Sequence, residues 1–198
     1  KMRAADQIVR TLEAHGVSRV YCVPGESYLA LLDALHGSSI QVIVCRHEGG
    51  AGFMACAEAK LTGKPAVVMA SRGPGATNAS IAIHMANQDG LPVILMLGQV
   101  AREERTRGVF QEVDYSAFFG SMTKAVFEIT DGARAREMIS RGLLQAQMGV
   151  PGPVVFSLPE DMLHDEVADE EPLVYPLPEL GHNALVIDKI QQVIDAAK

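Results

Sequence analysis

The sequence has no tryptophan, only three cysteines and no excess of basic residues, and each of these features excludes a class of protein. Cys22, Cys45 and Cys56 form no CxxC pair and lie in or beside apolar segments, so we expect buried, reduced thiols instead of a disulfide framework or a metal site. Seventeen basic against twenty-four acidic residues give a formal net charge of −7. That charge argues against a nucleic-acid partner and against an anionic membrane surface.

Long hydrophobic runs are also missing. No apolar run reaches the ~20 residues that a membrane-spanning helix needs. The N-terminus lacks the basic start, apolar middle and small-residue cleavage site of a signal peptide, so we expect a cytoplasmic protein. The 198 residues, 48% of them hydrophobic, are enough for one domain of about 150 residues with a sizeable core, followed by a tail.

Short apolar runs alternate with helical segments along most of the chain. The runs over 17–23, 40–45, 66–70 and 92–97 predict buried strands, and the segments between them have apolar residues at helical spacing. Further strands are expected over 124–129 and 154–158. Helices are expected over 4–15, 28–35, 51–61, 76–87, 133–148 and 183–197. This order is typical of βαβ units and predicts an α/β fold, a three-layer αβα arrangement with a parallel sheet of about six strands.

Three motifs follow predicted strands, and the carboxyl ends of parallel strands are where such sheets bind ligands. They are the turn Pro24-Gly25-Glu26-Ser27, the segment that ends in Glu48, and the loop Gly73-Pro74-Gly75. Glu48 stands at a strand-to-helix junction, where a carboxylate is favoured by the helix dipole even without a functional role. Asn78 occupies the place of the third glycine of a GxGxxG motif, so the loop at residue 73 is not a standard nucleotide loop.

The regular pattern lapses over 98–115, a long charged segment that is either functional or a solvated surface excursion. It contains Phe110 and Gln111. Beyond residue 159 the composition turns acidic and then proline-rich, which is typical of an exposed linker. We therefore divide the chain into an N-terminal domain over 1–165, a linker over 166–182, and the first helix of a truncated central domain over 183–198.

Six motifs in this order resemble one family. They are Val23-Pro24-Gly25-Glu26, Arg46-His47-Glu48-Gly49-Gly50-Ala51, Arg72-Gly73-Pro74-Gly75-Ala76-Thr77-Asn78, Leu97-Gly98-Gln99-Val100, Phe110-Gln111-Glu112-Val113-Asp114 and Gly152-Pro153-Val154. Together they resemble the N-terminal, pyrimidine-binding domain of thiamine-diphosphate-dependent enzymes, in the acetolactate (acetohydroxyacid) synthase-like branch. The resemblance extends from about Ala4 to Leu163.

The resemblance implies a function and roles for individual residues. The family's reaction is decarboxylation of a 2-keto acid followed by carboligation, a transferase or lyase activity. Glu48 matches the glutamate that bonds ring nitrogen N1' of thiamine diphosphate and so activates the cofactor. By the same resemblance Pro24, Gly25, Pro74 and Asn78 bind the cofactor. Gln111 is a catalytic residue that reaches toward the substrate, and Phe110 lies beside it.

The resemblance also implies partners and cofactors. The intact enzyme is expected to be a homodimer or homotetramer that acts on a small 2-keto acid. Mg²⁺ would be held by a diphosphate-binding domain, which nothing in this sequence resembles, so no residue here is assigned to a metal. FAD is allowed as a further cofactor. The chain alone is expected to be an inactive fragment.

Two positions depart from the family pattern, and several alternatives stay open. Glu26 replaces a glycine of the first turn, and Arg72 stands where a serine is usual. The alternatives within the family are a 2-keto-acid decarboxylase or an acyl transferase on the same cofactor. A non-catalytic oligomerisation module and a flavodoxin-like nucleotide domain are the alternatives from other classes.

Overall fold

The computed structural model describes residues 1–178, 181 and 183–197. Residues 179, 180 and 182 of the predicted linker, and residue 198, lie outside the described residues. The strands are β1 (Met2–Arg3), β2 (Arg19–Cys22), β3 (Gln41–Val44), β4 (Ala66–Ala70), β5 (Val93–Gln99), β6 (Ala125–Glu128), β7 (Val154–Pro159) and β8 (Glu166–Val167). The helices are α1 (Ala4–Ala14), α2 (Leu29–His36), α3 (Glu48–Thr62), α4 (Gly73–Asp89), α5 (Tyr115–Phe119), α6 (Ala135–Gln147) and α7 (Ala184–Ala196).

Six strands form one parallel sheet in the order β3-β2-β4-β5-β7-β6. Every residue of β4, β5 and β7 is buried, as expected for strands that are covered on both faces. Side chains on one face of the sheet pack with α1, α2 and α6, and those on the other face pack with α3, α4 and α5. The predicted fold class, a three-layer α/β arrangement with about six parallel strands, is therefore confirmed.

Strand β3 differs from the prediction of a buried strand over 40–45. It lies at the edge of the sheet, paired with β2 on one side, and the side chain of Val44 is 66% exposed. Apolar periodicity alone cannot separate an edge strand from a central one, because both carry the same β-branched residues. The short helix α5 was also missed, because five residues are too few for a periodic signal.

Helices α3 and α4 pack against each other through small residues. A Cβ atom placed on Gly52 of α3 would lie 2.4 Å from the Cβ of Ala82 in α4, closer than two carbon atoms can approach. Ala51, Ala55 and Ala79 are fully buried in the same contact layer. The two helices therefore pack backbone against backbone, and this packing fixes the position of both N-termini at the carboxyl edge of the sheet.

The segment after β7 is tied to the domain at several points. β8 pairs antiparallel with β1, a two-stranded unit that hydrophobic periodicity did not predict. Arg10 and Arg136 form ion pairs with Asp169 and Glu170. The Nε2 of Gln7 donates to the main-chain carbonyl of Glu170 at 2.8 Å. The first part of the predicted linker 166–182 thus runs along α1 and α6.

Helix α7 forms where the amphipathic pattern predicts it. Asn183 caps it by accepting a hydrogen bond from the amide of Val186, and all of its residues are exposed. Its assignment to a central domain stays a prediction. Among the residues that the structure describes, no helix combines the length and apolarity needed to cross a membrane.

The α3–α4 contact gives a stability prediction. Replacing Gly52 with Ala should lower the free energy of unfolding by about 1–3 kcal/mol, because the added methyl group forces the two helices apart. Gly50→Ala is the matched control, since a Cβ there meets no atom within 4 Å and alanine is the better helix former, so stability should rise by up to about 1 kcal/mol. Denaturant unfolding of both variants measures the difference, and equal effects would contradict the packing argument.

Candidate functional site

The site lies at the carboxyl edge of the sheet, where the strand order changes direction. From β2 the chain moves outward to β3, then crosses back to β4 and onward to β5. Such a switch point leaves a crevice at the strand ends, where the covering helices diverge. The segments that follow β2, β3 and β4 meet there, and they carry Gly25, Glu48 and Gly73 respectively.

Glu48 is the first residue of α3 and reaches the start of α4. Its Oε2 accepts a hydrogen bond of 2.9 Å from the Nδ2 of Asn78. A Cβ on Gly75 would lie 3.3 Å from its Oε1, so this glycine lets the carboxyl group approach the backbone of α4. His47 caps α3, with Nδ1 accepting from the amide of Gly49 at 3.0 Å. The half-buried carboxyl group therefore lies among the first turns of two helices, whose dipoles favour negative charge.

One oxygen of this carboxyl group is available to a ligand. Among the described residues, Asn78 is the hydrogen-bond partner of Oε2, and Oε1 has none. Asn78 is exposed, and so is Pro74 in the first turn of α4. The pair Glu48 and Asn78 thus presents a fixed acceptor beside an amide at an open edge of the domain.

The turn at Pro24-Gly25 packs directly onto the end of β4. A Cβ on Gly25 would lie 2.6 Å from the Cβ of Ser71, so only glycine fits there. The hydroxyl groups of Ser27 and Ser71 are 2.9 Å apart and share a hydrogen bond. Ser27 belongs to the turn predicted at the end of β2, but its pairing with Ser71 was not predicted, because the two serines come together only when the ends of β2 and β4 become neighbours.

The 100–114 loop meets the same edge from the other side. The main-chain carbonyl of Gln111 accepts a hydrogen bond of 3.0 Å from the amide of Gly73, the first residue of α4. The side chain of Gln111 is half-buried, whereas that of Phe110 is 79% exposed. The structure therefore brings Gln111 to the start of α4 but leaves Phe110 uncovered by this chain.

Arg72, one of the two departures from the family pattern, is an internal ion-pair partner. Its side chain is 13% exposed and its guanidinium bonds the carboxylate of Glu160, which follows β7. Its Nε is buried and has no hydrogen-bond partner among the described residues. The pair connects the carboxyl ends of β4 and β7, past the end of β5, which lies between them in the sheet. Glu26, the other departure, is exposed in the turn after β2.

A cavity of about 490 Å³ lies at the opposite end of the sheet and does not coincide with Glu48. Its lining includes Val17, which precedes β2, and Arg19, the first residue of β2. The lining also includes Met54 and Glu58 of α3 and Pro65, which precedes β4. Within the described part of the chain, no group of three or more His, Cys, Asp or Glu side chains could hold a metal ion.

Comparison with protein families decides the assignment of this fold and edge. Residues 2–118 match the model of the thiamine pyrophosphate enzyme, N-terminal TPP binding domain. The chain belongs to the thiamine pyrophosphate enzymes. The matched region contains Gly25, Glu48, Asn78 and Gln111, so the edge described above lies inside the part of the family that binds the cofactor. The family predicted from the ordered motifs is confirmed.

Curated relatives are acetolactate synthases. The chain is 35% identical over 195 residues to the catabolic acetolactate synthase of Raoultella terrigena. This aligned region covers 98% of this chain and 35% of that protein. It is 35% identical over 181 residues to the acetolactate synthase of Bacillus subtilis, covering 91% and 32%. It is 40% identical over 163 residues to the acetolactate synthase isozyme 1 large subunit of Escherichia coli, covering 82% and 29%. The chain thus spans about a third of the length of these relatives.

The carboxylate of Glu112 gives a pH prediction for the 100–114 loop. Hydrogen bonds from the amide of Thr106, and then from Arg105 and the amide of Gly108, lower the pKa of Glu112 against the opposing effect of burial. A carboxylate with a lowered pKa stabilises the folded loop above its ordinary pKa of about 4.3, and that stabilisation is lost as the pH falls through the lower folded value. Carboxyl ¹³C NMR should show this midpoint below 4.3, with the Thr106 and Gly108 amide signals shifting at the same pH. The Glu112→Gln variant should show no such transition in those amides.

Proposed function

We propose that this chain is the pyrimidine-binding domain of an acetolactate synthase-like enzyme, in which Glu48 activates thiamine diphosphate through N1' of the aminopyrimidine. The observation that carries the proposal is the placement of the Glu48 carboxyl group. It lies at the switch point of the sheet, with Oε2 held by Asn78 and Oε1 left without a partner among the described residues. The family match over residues 2–118 supports a thiamine ring as the proposed ligand of that oxygen.

The residues present fit the aminopyrimidine end of the cofactor. A flat heteroaromatic ring needs a hydrogen-bonding group at its edge and close access to the backbone. Glu48 supplies the first. Gly25 and Gly75 provide close backbone approach, since a Cβ on Gly25 would lie 2.6 Å from the Cβ of Ser71 and a Cβ on Gly75 would lie 3.3 Å from Oε1 of Glu48. Pro74 and Asn78, exposed at the start of α4, complete the proposed cofactor-binding set with Pro24.

The role of Glu48 is to hold a proton at N1'. Thiamine diphosphate, when bound, supplies a nucleophilic carbon that adds to the carbonyl group of 2-keto acids. By exchanging a proton with N1', the carboxyl group of Glu48 would allow the cofactor's own amino group to act as a base, and an acid–base step of this kind contributes roughly 10²–10⁴-fold to a rate. Asn78 keeps the carboxyl group in place by donating to Oε2, so Oε1 is free for that exchange.

The proposed reaction joins two 2-keto acids with loss of one CO₂. The names of the relatives, acetolactate synthases, support this reaction class. Gln111 would reach toward the substrate, because its main chain is docked on the first residue of α4. Phe110 would contact the substrate or a neighbouring subunit, since 79% of its side chain is exposed.

We propose the assembly and remaining cofactors on the same basis. The exposed apolar side chains Phe53 and Met54 of α3 and Ile81 of α4 support a homodimer or homotetramer that pairs through these helices. Mg²⁺ would accompany the diphosphate group and be held by a region of the relatives that this chain does not span. Whether the intact protein also binds FAD is tested by its visible absorption spectrum.

Free thiols support the proposed cytoplasmic location. Cys22 and Cys56 are buried without a disulfide, and burial raises the pKa of each thiol to about 11. Such cysteines are typical of a reducing compartment.

Glu48→Gln in the intact protein tests the assignment. The measured quantity is the exchange rate of the proton on carbon 2 (C2) of the thiazolium ring of bound thiamine diphosphate, followed by NMR. In the variant this rate should be on the order of 100-fold lower than in the wild type, because an amide cannot transfer the proton to N1'. Glu58→Gln, ten residues further along α3 and paired with Arg19 at the far end, is the matched control and should exchange at the wild-type rate.

Unchanged C2 exchange in Glu48→Gln would contradict the catalytic assignment of Glu48 and favour the alternative of a non-catalytic oligomerisation module. Product analysis with pyruvate then separates the enzyme classes. Acetolactate supports the carboligase, acetaldehyde with CO₂ supports a simple decarboxylase, and transfer of the acyl group to another acceptor supports an acyl transferase.

A further inference from the structure

The 100–114 loop holds two residues in a conformation that side chains disfavour. The φ angles of Thr106 and Gln111 are +68° and +66°, in the left-handed region. Neither residue is glycine, so the Cβ of each crowds its own backbone. Such conformations persist only where the surrounding contacts hold them, and they concentrate at functional sites. The contacts that hold Gln111 are therefore part of what places its side chain.

One of these contacts is the hydrogen bond to α4. The carbonyl of Gln111 accepts from the amide of Gly73 at 3.0 Å. A Cβ on Gly73 would lie 3.0 Å from that carbonyl oxygen and 2.9 Å from Cγ2 of Val113, so the loop packs against the bare backbone of the helix start. This contact anchors the main chain of Gln111 to the same helix that holds Asn78.

The second holding contact is an ion-pair network centred on Arg105. Its Nε and Nη2 each donate to the carboxylate of Glu128 at 2.9 Å, in a two-point arrangement, and Nη1 donates to Glu112. The side chains of Arg105 and Glu112 are 18% and 9% exposed, so solvent screens this network little. Glu128 is the last residue of β6, which fixes one end of the network to the sheet.

Glu112 connects Arg105 to the main chain near the tip of the loop. Its Oε1 accepts from the amide of Thr106 at 2.6 Å, and its Oε2 accepts from the amide of Gly108 at 3.0 Å. The two halves of the loop are thereby held together immediately beside Gln111. Without Arg105, Glu112 would keep its negative charge but lose the link to Glu128, and the two carboxylates would repel each other.

We propose that Arg105 is a positioning residue, which acts through Glu112 and Glu128 to hold Gln111 in its left-handed conformation at the substrate side of the cofactor site. The inference rests on the proposed function for the role of the Gln111 side chain. The ion-pair network of Arg105, Glu112 and Glu128, called the loop lock below, involves only contacts within this chain. Loss of this network should therefore lower kcat/KM for the substrate and leave cofactor activation by Glu48 unchanged. Arg105 has no distinguishing signal in the sequence, since it lies in a charged run with Arg102 and Arg107.

The decisive variant is Arg105→Leu in the intact protein, with Arg141→Leu as matched control. Arg141 also pairs with a glutamate, but on the exposed face of α6, where its side chain is 54% exposed. In cofactor-free protein, hydrogen–deuterium exchange should become faster over residues 103–114 and at Gly73 in Arg105→Leu, and stay unchanged in Arg141→Leu. This measurement does not depend on activity.

The loaded enzyme then shows whether the lock serves catalysis. In Arg105→Leu, kcat/KM for the 2-keto acid should fall on the order of 10–100-fold, the cost of a side chain misplaced by about an ångström. The C2 exchange rate and the thiamine diphosphate affinity should keep their wild-type values. Arg105→Lys, which retains the charge but not the two-point geometry, should recover part of the lost kcat/KM.

The outcomes separate this inference from the proposed function. Wild-type kcat/KM in Arg105→Leu, despite faster loop exchange, would overturn the positioning role, and unchanged loop exchange would overturn the lock itself. A parallel loss of C2 exchange and substrate turnover would indicate general destabilisation and also contradict the inference. The proposed function fails instead when Glu48→Gln leaves C2 exchange unchanged, whatever Arg105→Leu does.

Discussion

The close contact between α3 and α4 is the constraint on which the candidate site depends. Gly52 and Ala82 allow the two helices to approach to backbone distance, and both helices begin at the carboxyl edge of the sheet. Only at this separation can the carboxyl group of Glu48, at the start of one helix, reach Asn78 in the second turn of the other. The packing of small residues in the interior therefore sets the geometry of a polar pair at the surface.

A second constraint acts from the opposite side of the crevice. The 100–114 loop buries Val100 and packs Val113 against the core, and ion pairs and main-chain hydrogen bonds hold the part between them. Arg105 and Glu112 are mostly buried within it, and their contacts organise the backbone around Gln111. The site thus combines one half that is set by helix packing with a second half in which the Glu112 carboxylate accepts main-chain hydrogen bonds.

Much of the fold follows from the sequence, because hydrophobic periodicity and glycine or proline turns report directly on strands and helices. The six parallel strands, the helices between them and the position of Glu48 at the start of α3 agree with that pattern. The pattern did not show that β3 is an edge strand, that β8 pairs with β1, or that Tyr115 begins a short helix. The edge position of β3 and the β1–β8 pairing depend on which distant segment becomes a neighbour, and local periodicity carries no such information. The helix at Tyr115 is too short, at five residues, to give a periodic signal.

The site divides in the same way. The sequence alone determined which residue types stand at the strand ends, and the order of its motifs identified the family, because strand-to-helix junctions and their glycines are local features. The roles of Glu48, Gln111 and the cofactor-binding residues stay predictions. Only the tertiary structure decided that Asn78 bonds Glu48, that Ser71 meets the Gly25 turn and that Arg105 bonds both Glu112 and Glu128. These contacts join segments far apart in the chain, and the crossing of β3 back to β4 and the approach of two helices bring them together.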